Sequence, residues 1–283
     1  MKRTIILLMC SFFISAVNAQ DTKKQGDKMA ASADYAGAAT MYRKCMAKDE
    51  ECRMKLIRLL YDEKIVPQAP NELYQLVTPL AQKGNAEAQY YLGMVYFKGR
   101  GVGEDNREAL KWIQQSVDRG FAKAQNELGW MKQNGIAVLQ NYEEALKLYR
   151  LSAEQGNADA QYNLGYMTLN LLGMKKDKQK TYLQEAEKWY RKSAEQGNVK
   201  AQNSLAEMYL SGKEFNKNLQ EAVIWYQQSS NQGNAEGQYH LGMLYEEGKG
   251  VPKNADRAIE LYKKAAAQNH PLAAKKLKKM KVK

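Results

Sequence analysis

One six-residue motif recurs along this 283-residue chain. It is Gly-Asn-Ala-Glu-Ala-Gln at 84–89, and the later copies keep its glycine and its final glutamine. The glycines fall at positions 84, 120, 156, 197 and 233, in steps of 36, 36, 41 and 36 residues. A fixed period of this length is typical of solenoids, in which each unit buries its apolar face against its neighbours. Such chains present a surface, so the spacing favours binding over catalysis.

Each unit is predicted to be a pair of helices. Asn85 is a good N-cap, and the first helix carries small or apolar residues at helical spacing: Ala88, Leu92, Gly93 and Tyr96. Gly99 and Gly101 predict the turn. The second helix carries another such stripe: Ala109, Trp112, Ile113 and Val117. It ends at a glycine suited to the left-handed conformation, and in the last unit at Asn269.

The units share a longer pattern: Gly-Asn-Ala-x-Ala-Gln-Tyr-x-Leu-Gly-x-x-Tyr, then Gly-x-Gly-Val, then Ala-x-x-Trp-Tyr-x-x-Ala-Ala-x-Gln-Gly. Residues 234–268 match it best. This pattern resembles the Sel1-like repeat, a relative of the tetratricopeptide repeat. The resemblance implies an all-α fold, a right-handed α/α superhelical solenoid with a period of 36 residues. It also implies scaffolding of complexes or binding of protein partners, without implying one biochemical function.

The repeats divide the chain into segments. We expect a polar, flexible lead-in at 20–33 and degenerate repeats with a capping role at 34–80. Five repeats are expected within 81–270, at 81–120, 121–156, 157–197, 198–233 and 234–269. Residues 271–283 are expected to form a capping helix and a basic tail.

The N-terminus resembles a cleaved signal peptide. A basic start at Lys2 and Arg3 precedes an apolar run from Thr4 to Val17 that is too short to span a bilayer comfortably. Small residues then precede Gln20, so we expect 1–19 to be removed and the mature protein to be periplasmic. A retained anchor is the alternative, and secretion or surface exposure is a variant of the same prediction.

Export changes what the cysteines imply. Cys45 and Cys52 remain in the mature chain, an even pair suited to an oxidising compartment. In the architecture implied by the resemblance, they lie at the end of one helix and the start of the next, so we expect a disulfide. The secreted cysteine-rich branch of the Sel1-like family is similar here, although this chain has one such pair. Two buried thiols are the alternative, and no histidine is near enough in sequence to suggest a metal site.

The sequence shows no familiar catalytic motif. It contains two histidines, no His-Glu-x-x-His, no Gly-x-Ser-x-Gly, no phosphate-binding loop and no Cys-x-x-Cys. Part of the cysteine-rich branch is linked to penicillin binding or hydrolysis, yet no serine here has a lysine three residues on. We therefore predict neither an enzyme nor a cofactor.

The chain is basic, with a formal net charge of +12. Lysines concentrate in an insertion at 174–180 and in the C-terminal tail. A basic surface speeds association with acidic partners and weakens with salt. We therefore expect an acidic protein partner in the cell envelope, with membrane contact through the tail as a further option. Alternatively, the lysines of the tail keep the open end of the solenoid soluble. Export argues against a nucleic-acid partner.

Two positions on the first helices vary between copies while their neighbours repeat. Both lie on one face of the helix, and first helices line the concave side in related superhelices. We therefore predict an aromatic-rich groove that anchors a partner, formed by Tyr91, Met94, Glu127, Trp130, Asn163, Tyr166 and His240. Burial of several of them between adjacent repeats is the alternative.

Three functions are compatible with these patterns. The first is a periplasmic scaffold or adaptor that binds an envelope protein. The second is an immunity protein that neutralises a toxin delivered into the periplasm, since exported Sel1-like chains often accompany lipase effectors of type VI secretion. The third is an enzyme of the cysteine-rich branch that acts on β-lactams or peptidoglycan.

Overall fold

The structure, a computed structural model, describes residues 19–62, 70–171, 179–212 and 217–280. The fold is all-α, and no β-strand occurs within these ranges. The chain divides into two units, 1–140 and 141–283. The helices of the first unit are α1 (19–31), α2 (Tyr35–Cys45), α3 (Glu50–Tyr61), α4 (Pro70–Gln82), α5 (Ala86–Lys98), α6 (Asn106–Asp118) and α7 (Ala122–Asn134). Those of the second unit are α8 (Tyr142–Glu154), α9 (Ala158–Leu171), α10 (Gln179–Glu195), α11 (Val199–Ser211), α12 (Leu219–Asn231), α13 (Ala235–Glu247), α14 (Ala255–Ala267) and α15 (Pro271–Lys279).

The helices pack in the predicted pairs. Helix α5 packs on α6, α9 on α10, α11 on α12 and α13 on α14. Gly93, one of the small or apolar residues at helical spacing, lies at the contact between α5 and α6, because a Cβ on Gly93 would be 2.6 Å from Cγ1 of Ile113. A larger residue at this position would push the second helix away.

The motif residues end one helix and begin the next. The Oδ1 atom of Asn85 accepts a hydrogen bond from the backbone N–H of Ala88 at 2.9 Å. The same bond caps α9, α11 and α13, at Asn157, Asn198 and Asn234. Gly84 has a φ of 88° and Asn269 a φ of 65°, both in the left-handed region. The predicted helix boundaries are confirmed at these positions.

The glutamine that closes each motif joins successive helices. Nε2 of Gln89, which is buried, donates a hydrogen bond to the carbonyl oxygen of Ala81 in α4 at 3.2 Å. Gln161 and Gln202 donate the same bond to the helices that precede them. The acceptors are carbonyls near helix C-termini, and each also accepts a hydrogen bond from the backbone N–H of the motif glycine. The motif therefore fixes how one helix pair meets the next.

The lead-in expected to be flexible forms helix α1 instead. Nζ of Lys23 lies 2.7 Å from Oε2 of Glu51 and 3.0 Å from Oδ2 of Asp49. Nζ of Lys55 lies 2.7 Å from Oδ1 of Asp27. Lys23 and Asp27 of α1 thus have oppositely charged partners at or near α3.

A glycine brings α1 close to α2. A Cβ on Gly26 would lie 2.6 Å from Cε1 of Tyr42. The Tyr42 hydroxyl donates a hydrogen bond to Oδ1 of Asp27 at 2.7 Å, and burial together with this bond raises the pKa of Tyr42. The expectation of a flexible lead-in is wrong because α2 and α3 supply partners that 20–33 does not reveal by itself.

The structure contains the expected disulfide. It joins Cys45 in α2 to Cys52 in α3, with their Cα atoms 5.9 Å apart. Both side chains are buried. The bond links two helices that follow each other directly, and it lies beside the ion pairs of α1.

Helix α15 stands where we expect a capping helix. Nζ of Lys276 lies 2.7 Å from Oε2 of Glu246, so part of the basic tail has a structural partner. Three expectations fall outside the described residues: the signal peptide up to residue 18, most of the insertion at 174–180 and the tail at 281–283. No helix in the described part of the chain is both long and apolar enough to span a bilayer.

Candidate functional site

A cleft of about 440 Å³ opens in the second unit and is lined by residues of α9, α10 and α11. This volume lies within the range of ligand pockets, which is roughly 300–1,000 Å³. The residues that give the cleft its chemistry are Tyr162, Tyr166, Leu169, Tyr190, Ser204 and Glu207. The cleft is the candidate site because it combines aromatic rings with a charged group.

A glycine allows the floor of the cleft to form. The Tyr190 side chain on α10 is only 2% exposed. A Cβ on Gly165 of α9 would lie 2.9 Å from Cδ1 of Tyr190. Gly165 occupies the same position in its repeat as Gly93 does in the first unit. In this repeat it also allows the Tyr190 ring to lie under the cleft.

Two stacked tyrosines of α9 form one wall. The ring centroids of Tyr162 and Tyr166 are 6.4 Å apart with an interplanar angle of 25°, and those of Tyr162 and Tyr190 are 5.6 Å apart. Burial raises the pKa of Tyr162, although a hydrogen bond with Ser204 opposes the shift. Tyr166 is 45% exposed. An exposed ring stacked on a half-buried one is a surface on which a partner can pack.

Helix α11 supplies the opposite side. Ser204 and Glu207 are three residues apart, so they lie on the same face of the helix. Met208 is buried beside them. Glu207 is exposed, and it has no hydrogen bond or ion pair within the part of the chain that the structure describes. Among the described lining residues Glu207 is the one that carries a charge.

Two of the predicted groove residues are buried in the first unit. Tyr91 is 4% exposed and Met94 is 5% exposed. The Tyr91 ring packs against Tyr61 and Tyr90, with centroids 4.9 Å and 5.2 Å away. The prediction that Tyr91 and Met94 face an open groove is therefore wrong, because aromatic neighbours cover the helix face at this point.

Trp130 and Glu127 of α7 are half-buried. The Trp130 ring meets the Phe97 ring of α5 edge to face, with centroids 5.8 Å apart and an interplanar angle of 85°. Counted from the motif glycines, Phe97 corresponds to Leu169, and Trp130 corresponds to Glu207. The contact in the first unit thus involves the positions that line the cleft in the second.

Asn163 and His240 are half-buried in the second unit, and neither lines the cleft. The His240 ring stacks on Tyr226, with centroids 4.9 Å apart and an interplanar angle of 14°. The carboxylate of Glu236 accepts hydrogen bonds from Nε2 of His240 at 2.9 Å and of His270 at 3.0 Å. Burial opposes ionisation of Glu236, but the bonds from His270 and His240 outweigh it and lower the pKa of Glu236. His240 therefore has structural partners.

Of the seven predicted residues, Tyr166 is the one that the structure places in the cleft. The sequence-based prediction omitted Tyr162, Tyr190, Ser204 and Glu207. A signal for two of them was present, because Ser204 and Glu207 occupy the same variable positions as Asn163 and Tyr166 in the preceding repeat. The emphasis on aromatic residues left them out.

The repeat pattern matches a known family. Five consecutive segments, 86–121, 122–157, 158–198, 199–234 and 235–270, match the sequence model of the Sel1 repeat. The chain belongs to the Sel1 repeat family. The resemblance that the sequence suggested is thereby confirmed, and the matched segments include every helix that lines the cleft.

Solved structures of Sel1-repeat proteins are similar to this chain. A Sel1 repeat protein from Oxalobacter formigenes is 31% identical with a TM-score of 0.66, over 78% of this chain and 84% of that one. The protective antigen c5321 of uropathogenic Escherichia coli, which displays an SLR fold, is 29% identical with a TM-score of 0.67. That match covers 82% of this chain but 48% of c5321, so this chain spans about half of that protein.

A curated relative matches over a shorter stretch. HRD3A, an ERAD-associated E3 ubiquitin-protein ligase component from Arabidopsis thaliana, is 43% identical over 49 residues. The match covers 17% of this chain and 7% of HRD3A.

Proposed function

We propose that this Sel1-repeat protein is a non-catalytic scaffold that binds an envelope protein through the cleft of its second unit. Sel1 repeats imply protein–protein interaction. The observation that carries the proposal is the exposed Tyr166 ring, which stacks on Tyr162 in the cleft that the buried Tyr190 also lines. Tyrosines that surround a preformed pocket are frequent hot spots of protein interfaces. The cleft thus gives the general scaffold role a specific place on the molecule.

Crosslinked affinity capture tests this proposal. The full chain serves as bait beside Tyr166→Ala and a control, Leu151→Ala, which removes an exposed side chain of α8 outside the cleft. We expect one stoichiometric protein with the wild type and the control, and its loss with Tyr166→Ala. Capture that is unaffected by Tyr166→Ala would contradict the cleft as the site. A lipase-type toxin as the captured protein would make the chain an immunity protein, which is the narrower alternative.

We also propose that the protein works in the periplasm. The apolar run from Thr4 to Val17 supports export, and the disulfide between Cys45 and Cys52 supports an oxidising compartment. Cell fractionation followed by N-terminal sequencing and thiol labelling checks both points. We expect a periplasmic protein that begins at Gln20 and has no reactive thiol. A cytoplasmic protein with an intact N-terminus and two reactive thiols would contradict the proposal.

A further inference from the structure

The described lining of the cleft is charged oppositely to the chain as a whole. The chain carries a formal net charge of +12, whereas the charged group among the described lining residues is the carboxylate of Glu207. The exposed Tyr166 ring lines the same cleft. The face of an aromatic ring attracts cations, and a carboxylate accepts charge-assisted hydrogen bonds. Both features select a positively charged group.

We propose that the cleft binds an arginine side chain of the protein partner. This inference rests on the proposed function and names the chemistry of the anchor. A guanidinium is planar, so it can stack on the Tyr166 ring while its N–H groups donate to Glu207. The apolar stem of the arginine would pack against Leu169 and Met208, which also line the cleft.

Other anchors fit the cleft less well. An acidic side chain would bring a second carboxylate to Glu207, and like charges repel. An apolar side chain would cover the Glu207 carboxylate without giving it a hydrogen bond, which costs free energy. The basic surface as a whole acts at longer range and affects the rate of approach. An acidic partner that carries an arginine at the contact point therefore matches both the positive net charge of the chain and the carboxylate in the cleft.

Selection from a displayed library of random peptides tests the inference. The targets are the full chain, the cleft variants Tyr166→Ala and Glu207→Gln, and the control Leu151→Ala. Thermal unfolding first establishes that all four proteins are equally folded. We expect the wild type and the control to enrich peptides that contain arginine. Replacing that arginine by alanine should weaken binding about tenfold, and Glu207→Gln should weaken it about fivefold.

A charge swap makes the test specific. Glu207→Lys should abolish binding of the arginine peptide, and a peptide with glutamate in place of the arginine should regain part of it. Peptides that need Tyr166 but bind equally well without arginine, or with lysine in its place, would overturn this inference and leave the proposed function standing. If no selected peptide depends on Tyr166, both are overturned.

Discussion

Corresponding positions in the two units of this protein carry different side chains and have different surroundings. In the first unit the rings of Phe97 and Trp130 meet edge to face at 5.8 Å. In the second unit the corresponding residues are Leu169 and Glu207, and they line a cleft of about 440 Å³. Helices α5 and α9 have the same asparagine cap and the same buried glutamine. The repeats still differ in length, 36 residues against 41, and α7 begins at Phe121 without a side-chain cap. The same two positions on successive first helices thus form a ring contact in the first unit and line a cleft in the second.

The largest expected effect comes from giving the second unit the residues of the first. Leu169→Phe combined with Glu207→Trp should fill the cleft and weaken partner binding at least about a hundredfold, which corresponds to about 2.7 kcal/mol. The change buries rings as in the first unit, so the free energy of unfolding should stay equal or rise. Isothermal titration with the captured partner and urea unfolding measure the two quantities. Binding that survives the double substitution would show that the cleft is not the site.

Trp130→Ala tests the other side of the comparison. Removing a half-buried ring that packs on Phe97 should lower the free energy of unfolding by about 2 kcal/mol. Partner affinity should stay unchanged, because the contact lies in the first unit.

Tyr166→Ala should mainly weaken binding. We expect a loss of roughly 0.5 kcal/mol in the free energy of unfolding and about 2 kcal/mol in the free energy of binding. Urea unfolding measures the stability of both variants, and titration measures their partner affinity. If both variants lost stability and affinity to the same extent, the two units would not differ in role.

A pair of glycine substitutions gives a smaller effect. A Cβ would meet Ile113 in Gly93→Ala and Tyr190 in Gly165→Ala. Overpacking costs stability and helix propensity returns part of it, so each change should lower the free energy of unfolding by about 1 kcal/mol. Gly165→Ala should also weaken partner binding, because it displaces the floor of the cleft. Gly93→Ala is the matched control, and a loss of binding in both variants would indicate a general loss of structure.

The smallest expected effect is the change in stability with pH that depends on Glu236. The pKa of Glu236 is lowered from its ordinary value of 4.5, so its contribution to stability is present above pH 4.5 and is lost as the pH falls through the lowered value. Glu236→Gln should therefore reduce stability at neutral pH by less than about 1 kcal/mol, since the carboxylate is partly exposed. The difference from the wild type should vanish in acid, as followed by urea unfolding across pH. Partner binding at neutral pH should not change. A difference that persists at low pH would assign the effect to packing.

The repeated elements could be predicted from the sequence because their causes are local. The cap at Asn85, the left-handed Gly84 and the small residue at 93 act within one helix pair, and the structure has each of them as predicted. Helix α1 could not be predicted, since its contacts are with residues far along the chain, such as the contact of Asp27 with Lys55.

The cleft was only partly predictable for a related reason. The variable positions included Tyr166, which lines the cleft. Whether the side chain at such a position is buried or exposed depends on its neighbours. Met94 is buried and Tyr166 is exposed although both occupy the same place in the repeat. The cleft also differs from the corresponding place in the first unit at Leu169, where the first unit has Phe97. This position is not one of the two variable positions used for the prediction. Sequence periodicity identifies the face of the helix, and side-chain packing decides which part of it stays open.

The most direct test of the account is site-specific photocrosslinking in living cells. Asn170 lines the cleft, and Lys98 is its counterpart in the first unit, fourteen residues after the motif glycine in each case. Both residues are exposed. A photoreactive phenylalanine analogue at position 170 should crosslink the partner, and the same group at position 98 should not. Equal crosslinking at both positions, or crosslinking at 98 alone, would contradict the claim that the cleft of the second unit is the binding site.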